Sequence, residues 1–190
     1  AYRALRRSRL KEMHAVRYAD DFKIFCATHE DAVRAYKATE LWLKDRLGLE
    51  ISPDKSKVVN LKRQNSDFLG FKLKVRKKGK KYVVRSHMSD KAYKKAHEKV
   101  SEEVKKLAHS SDDNAQFMQL QKYNSVVVGL HEYYCISTEV SHDFSRLAFS
   151  VNKQLRNRLK GDLFKKGQLR NGFIKEKYGA SRQMRFLHGR

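Results

Sequence analysis

Hydrophobic and polar residues alternate with a period of two near the start of the chain and change to a helical period soon afterwards. Val16 and Tyr18 alternate with Ala15 and Arg17, and Phe22 and Ile24 alternate with Lys23, the pattern of two half-buried strands. Between them lies Ala19-Asp20-Asp21. Asp tolerates turn geometry, so the pattern predicts a β-hairpin with two adjacent carboxylates where the chain reverses. Thr28-His29-Glu30-Asp31 reads as a capping-box-like helix start, and Ala32, Tyr36, Thr39, Leu43 and Leu47 recur at helical spacing up to a stop at Gly48. Residues 49–51 and 58–61 are expected as strands around a turn at Pro53-Asp54. Residues 68–75 are expected as a further extended stretch, followed by the basic turn 76–81 and another strand from Tyr82.

Near Ser86 the texture changes. Ser89 is placed to cap a helix with Tyr93, Ala96, Val100, Val104 and Leu107 on its apolar face. After a polar linker at 109–113, a second helix carries Phe117, Leu120, Val127, Leu130 and Tyr134. A third, with Ser141 as the expected cap, carries Phe144, Leu147, Val151, Leu155 and Leu159. The fold class expected is α+β: a small antiparallel sheet with a covering helix, followed by a three-helix bundle. The tail from Gly161 is basic and Gly-punctuated, and no element is assigned to it.

Charge changes this picture more than size does. The 190 residues suit one ordinary domain or two small ones, but 43 Lys+Arg against 21 Asp+Glu give +22. Such an excess is the electrostatic footprint of a polyanion-binding protein, with nucleic acid the first candidate. No run approaches the length of a spanning helix and no secretory h-region opens the chain, so a membrane is not among the expected partners. Cys26 and Cys135 are far apart, without metal-ligand spacing, and suit a reducing cytosol. The eight His residues lack the spacing of a zinc site, and His14, His29, His87, His97 and His109 read most simply as surface or capping residues.

The acidic pair is the candidate chemistry. Hard Mg²⁺ ions are held by one or two carboxylates plus substrate phosphates, and two such ions clamp the attacking and leaving oxygens of an in-line displacement. A surface turn that carries Asp-Asp by chance is the plain alternative. The flanking strands and Tyr18-Ala19 favour the metal reading, since Ala19 keeps the approach narrow and leaves room for a large substrate.

Three motifs stand in order: Arg17-Tyr18-Ala19-Asp20-Asp21-Phe22, Leu49-Glu50-Ile51-Ser52-Pro53-Asp54-Lys55-Ser56-Lys57, and Phe68-Leu69-Gly70-Phe71. In this order they resemble the reverse transcriptases encoded by bacterial group II introns. The segment Gly129-Leu130-His131-Glu132-Tyr133-Tyr134 is similar to the thumb, or maturase, region of the same family. The resemblance implies part of a right-hand polymerase, with residues 1–86 as the C-terminal part of the palm, 87–160 as the helical thumb and 161–190 as a basic tail or linker. It implies Asp20 and Asp21 as metal-binding catalytic carboxylates of a two-Mg²⁺ site, with Tyr18 and Ala19 on the primer–template side. Lys55 falls at the position of a basic residue beside the incoming triphosphate, and a solvated lysine is an equal reading of it. Phe68, Leu69, Gly70 and Phe71 correspond to the primer grip.

Lys72 and Lys74 share a strand face, and Lys91, Lys94, Lys95 and Lys99 form a stripe on the first thumb helix; these are the candidate phosphate contacts. Tyr133 and Tyr134 fit packing in the bundle better than base stacking. Polymerases of this kind draw a third carboxylate from an upstream strand, whereas the sixteen residues before Arg17 contain one acid, Glu12. The expectation is that this chain supplies only part of the metal site and is inactive alone, with a fingers–palm segment among its partners. The other expected partners are an RNA template, a DNA primer and group II intron RNA, in a bacterial cytoplasm. Two alternatives stay open: a non-catalytic RNA-binding splicing maturase, and a domesticated or defence-associated reverse transcriptase.

Overall fold

Residues 13–159 and Leu187 are described in the computed structural model. The chain divides into two units, Ala1–Asn60 and Leu61–Arg190. In the first, β1 (Met13–Tyr18) and β2 (Asp21–Cys26) pair antiparallel, with Tyr18 opposite Asp21 and a two-residue turn, Ala19-Asp20, between them. The predicted hairpin is therefore present. Its register sets Val16 and Tyr18 beside Lys23 and Asp21 on one face, and Ala15 and Arg17 beside Ile24 and Phe22 on the other. The two apolar rows thus lie on opposite faces, and both faces are mixed.

Helix α1 (His29–Leu47) follows β2 and packs against it. The Asp31 amide donates to Thr28 Oγ1 at 3.2 Å, and the Thr28 hydroxyl donates to Asp31 Oδ2 at 2.7 Å, so the predicted cap forms. Gly48, at φ 63°, ends the helix in the left-handed conformation that glycine adopts without strain. Asp31 is the one buried residue of this unit among those described, while Val16, Tyr18, Phe22, Leu41 and Trp42 are exposed. The strands expected at 49–51 and 58–61 do not form. A strand needs a run of ladder hydrogen bonds, and this segment forms no such run: the Leu61 carbonyl accepts the Val75 amide at 2.9 Å, but no ladder extends from it. It turns instead at Pro53, where the Ser56 amide donates to the Ser52 carbonyl at 2.9 Å.

The second unit opens with an antiparallel sheet of order β3-β4-β5, formed by β3 (Ser66–Phe68), β4 (Phe71–Lys78) and β5 (Lys81–Met88). Residues 68–75 are not one extended run. Phe68 pairs with Phe71, and Leu69 (φ 50°) and Gly70 (φ 77°) make a tight turn with two positive φ angles, whose twist suits a two-residue hairpin. Helices α2 (Asp90–Ala108), α3 (Asp113–Tyr134) and α4 (Val140–Arg158) then form the expected bundle, with α2 packed on both others. Ser89 caps α2 as predicted, accepting from the Ala92 amide at 3.2 Å.

The core is built where the helical spacing placed it. Val100, Val104 and Leu107 of α2, Leu120 and Val127 of α3, and Leu147, Val151 and Leu155 of α4 are buried, each contributing about 1.5–3 kcal/mol by leaving water. Leu187 joins the same core; the rest of the expected tail lies outside the described residues.

One edge of the sheet is closed by the connection between α3 and α4 rather than by a strand. The Ser86 amide donates to Thr138 Oγ1 (2.8 Å), the Thr138 amide to Ser86 Oγ (2.9 Å) and the Glu139 amide to the Ser86 carbonyl (3.1 Å). Ser137 Oγ donates to the same carbonyl at 2.6 Å, and the Met88 amide donates to Asp143 Oδ2 at 2.8 Å. Because residues 137–139 are committed to β5, α4 begins as soon as the chain leaves the strand. Glu139 occupies the cap position without a side-chain capping bond, its carboxylate pairing with Arg85 instead. Ser141, the expected cap, lies inside the first turn, and its carbonyl accepts the Ser145 hydroxyl at 2.7 Å.

Tyr123 does not stand out in the periodicity, yet it is fully buried on α3 and its hydroxyl has no hydrogen-bond partner among the described residues. Burial holds that phenol above its ordinary pKa. A buried unpaired hydroxyl costs roughly 1–3 kcal/mol. Tyr123→Phe is therefore expected to raise the unfolding free energy by about 1 kcal/mol. In the same urea titrations, Leu147→Ala is expected to lower it by about 2–5 kcal/mol. A destabilised Tyr123→Phe variant would show that the hydroxyl has a partner in solution.

Candidate active site and nucleic-acid interface

The carboxylate hairpin owes its shape to a residue that does not favour it. Ala19 takes φ 52°, a left-handed conformation uncommon for a residue with a Cβ. Asp20 follows it in the turn, and Asp21 opens β2. Arg17 Nε donates to the Ala19 carbonyl at 2.7 Å, a clasp across the tip that the alternation pattern did not reveal. Its sequence signal is an arginine two residues before the turn. Tyr18 pairs with Asp21 and shares its face, so an exposed phenol ring stands beside a carboxylate. Asp20 and Asp21 are both exposed, and neither enters an ion pair among the described residues. Two neighbouring all-oxygen donors with open access suit a hard divalent ion. Lys55 sits exposed in the turn after Pro53.

In the second unit the predicted grip residues form the β3–β4 turn. Gly70 is hemmed in: a Cβ added there would lie 3.1 Å from Tyr134 Oη, 3.7 Å from Ala92 Cβ and 3.9 Å from Tyr133 Cε1. Tyr133 Oη donates to the Leu69 carbonyl at 2.9 Å, and the Ser89 amide donates to the Gly70 carbonyl at 2.8 Å. Phe71 stacks on Tyr133 with centroids 5.6 Å apart and meets Tyr134 edge-on at 5.2 Å. The tyrosines at the end of α3 thus fasten the turn to the bundle, as their reading as packing residues anticipated.

The basic candidates divide into paired and unpaired. Lys72 is partly buried and forms an ion pair with Asp90, the first residue of α2. Lys74 lies on the same strand face, opposite Arg85. On α2, Lys91, Lys94, Lys95 and Lys99 are all exposed, while Ala96, Val100, Val104 and Leu107 face the core. Lys94 lies 3.9 Å from Glu98; Lys91, Lys95 and Lys99 enter no ion pair among the described residues. An exposed ion pair of that length contributes little, so the stripe presents its charge to solvent.

Residues 2–73, from before the carboxylate hairpin into β4, match the family model for Reverse transcriptase (RNA-dependent DNA polymerase). That match, over less than half of the chain, supports a reverse-transcriptase-type, RNA-directed DNA polymerase at the level of the family, a family that acts on an RNA template and a DNA primer. It contains the first two motifs entire and all four grip residues. No curated protein matches the chain. The α+β fold, with its small antiparallel sheets and the three-helix bundle after them, is compatible with part of a polymerase palm followed by a helical thumb.

Gly70 gives the test of this local geometry. Gly70→Ala forces a Cβ into a left-handed conformation against Tyr134 and is expected to destabilise the second unit by about 1–2 kcal/mol in chemical denaturation. A neutral substitution would mean that the turn relaxes away from the tyrosines.

Proposed function

We propose that this chain carries the metal-binding hairpin and the thumb of a group II intron-type reverse transcriptase that also binds its intron RNA as a maturase. The observation that carries the reading is the pair Asp20–Asp21, exposed and without an ion pair among the described residues, at a hairpin tip within the segment that matches the reverse transcriptase family. The donor set fits Mg²⁺, which Asp20 and Asp21 would hold; when bound, that ion activates an attacking hydroxyl and stabilises the departing pyrophosphate. The chain's own residues do the positioning. Arg17 holds the tip in shape through the Ala19 carbonyl, and Tyr18, on the face of Asp21, lines the side that meets the primer and template. Lys55 neutralises charge on the triphosphate. Phe68, Leu69, Gly70 and Phe71 grip the primer strand, held from behind by Tyr133 and Tyr134.

The bundle helix α2, with Lys91, Lys95 and Lys99, and strand β4, with Lys74, follow the sugar–phosphate backbone. Such contacts position a duplex without reading its sequence, and A-form helices are recognised by shape in this way. No described helix is long and apolar enough to cross a membrane. In this reading the protein works in the bacterial cytoplasm on nucleic acid. A second reading is supported by one observation: the folded core and the exposed lysine stripe lie in the same unit, which suits RNA binding independent of catalysis, as in a non-catalytic splicing maturase.

The deciding experiment is RNA-templated primer extension with Mg²⁺ by the protein expressed from its full reading frame. Asp20→Asn/Asp21→Asn is expected to lower extension by about 10³-fold or more while RNA binding is retained, since several kcal/mol of metal stabilisation are lost. Replacing Lys91, Lys95 and Lys99 with Gln is expected to weaken RNA binding evenly across sequences. It should also flatten the salt dependence by about 0.7–0.9 in slope for each phosphate that is no longer neutralised. Extension that survives the double Asp substitution would refute the catalytic assignment. Tight, salt-sensitive RNA binding without extension by either form would establish the maturase reading instead.

A further inference from the structure

The sequence left its histidines as surface residues, but the fold gathers two of them around a buried acid. His87 lies near the end of β5, and His142 and Asp143 lie in the first turn of α4. His87 Nδ1 is 3.1 Å from Asp143 Oδ1, and His142 Nδ1 is 3.8 Å from the same oxygen. One ligand atom from each of the three residues lies within 4.8 Å of the others. The spacing in sequence concealed this, because fifty-odd residues and two helices separate His87 from its partners.

We propose that His87, His142 and Asp143 form a divalent transition-metal site, for Zn²⁺ or an ion of similar coordination, that pins the β4–β5 hairpin to α4. Zn²⁺ binds imidazole nitrogen and carboxylate oxygen at about 2.0–2.1 Å in a tetrahedral arrangement, which separates neighbouring donors by about 3.3 Å. The two separations found here, 3.1 and 3.8 Å, bracket that value. Two imidazoles and one carboxylate are a donor set that suits this class of ion and not Mg²⁺ or Ca²⁺, which prefer oxygen throughout.

The surroundings of Asp143 carry the argument further. Its side chain is 5% exposed, and it makes no ion pair with Lys or Arg among the described residues. A buried carboxylate calls for a counter-charge. Its other oxygen, Oδ2, accepts the Met88 amide at 2.8 Å, which fixes the carboxylate with Oδ1 turned toward both rings. Outer hydrogen bonds of this kind orient metal ligands. His87 and His142 both line a groove of about 550 Å³, which gives room for a water ligand and which Arg76, Lys77 and Lys78 also line. Arg85, on the same groove, is engaged by Glu139, which neutralises the cation nearest in sequence to His87.

The test uses the full chain, stripped with a chelator and dialysed against micromolar free Zn²⁺. One Zn²⁺ per chain is expected, with a rise of a few degrees in Tm and, on Co²⁺ substitution, the visible absorption of a four-coordinate site. His142→Gln is the cleanest variant, because the ring is exposed and bears no core packing. It is expected to weaken Zn²⁺ binding by about 100-fold with an unchanged circular dichroism spectrum. Asp143→Asn keeps an acceptor for the Met88 amide while removing the charge, and is expected to lose Zn²⁺ as well. No bound Zn²⁺ in the native chain, or equal affinity in His142→Gln and Asp143→Asn, would overturn the proposal and leave the cluster as an imidazole–carboxylate hydrogen-bond network.

Discussion

The outer edge of β5 is the constraint on which the second unit depends. A sheet edge carries amides and carbonyls that must find partners, and in most small sheets water or another strand provides them. Here Ser86 and Met88 turn alternate amides outward, where Thr138 of the α3–α4 connection and Asp143 of the first turn of α4 accept them. The same contacts draw residues 137–139 onto the strand and set the first turn of α4. On the opposite edge, at the same end of the sheet, where Phe71 pairs with Met88, Tyr133 and Tyr134 hold the Leu69-Gly70 turn. One helix–helix connection and the turn of α3 that precedes it therefore fasten both edges of the sheet at one end.

This arrangement gives the two units different characters. The first has a two-stranded ladder and one helix, with Asp31 alone buried among its described residues. Such a ladder has little stability of its own in water, and its candidate chemistry is offered on an open turn. The second contains the packed core and holds the grip residues on a rigid support. Sites held by packed elements keep their geometry better than sites on loops, so the primer contact proposed for the β3–β4 turn would gain precision from the bundle behind it.

Most of the helical architecture was legible in the sequence because it depends on local signals. The caps at Thr28 and Ser89, the stop at Gly48 and the apolar rows of α2 and α4 all follow from a few neighbouring residues. The carboxylate hairpin was legible for the same reason, although its faces were not: alternation identifies a strand without revealing the register that decides which rows share a side. What depends on distant partners could not be read. Residues 49–51 and 58–61 have strand-like composition but form no ladder beyond the bond from the Val75 amide to the Leu61 carbonyl, and Ser141 lost its role as a cap to the pull of β5 on residues 137–139. The Tyr123 hydroxyl and the grouping of His87 with His142 and Asp143 are likewise products of tertiary packing. Of the candidate site residues, Asp20 and Asp21 stood out through their chemistry. The support of Gly70 by two tyrosines more than sixty residues away emerged only from the fold.

Hydrogen exchange at single-residue resolution tests the central claim, that the edge of β5 is sealed by the α3–α4 connection. The outward amides of β5 recur every second residue, so Tyr82 and Val84 offer an internal comparison on the same edge with Ser86 and Met88. The predicted result is protection of Ser86 and Met88 equal to that of the core amides of α2 and α4, with Tyr82 and Val84 exchanging far faster. Equal, rapid exchange at all four positions would contradict it, since the hairpin and the bundle would then open independently.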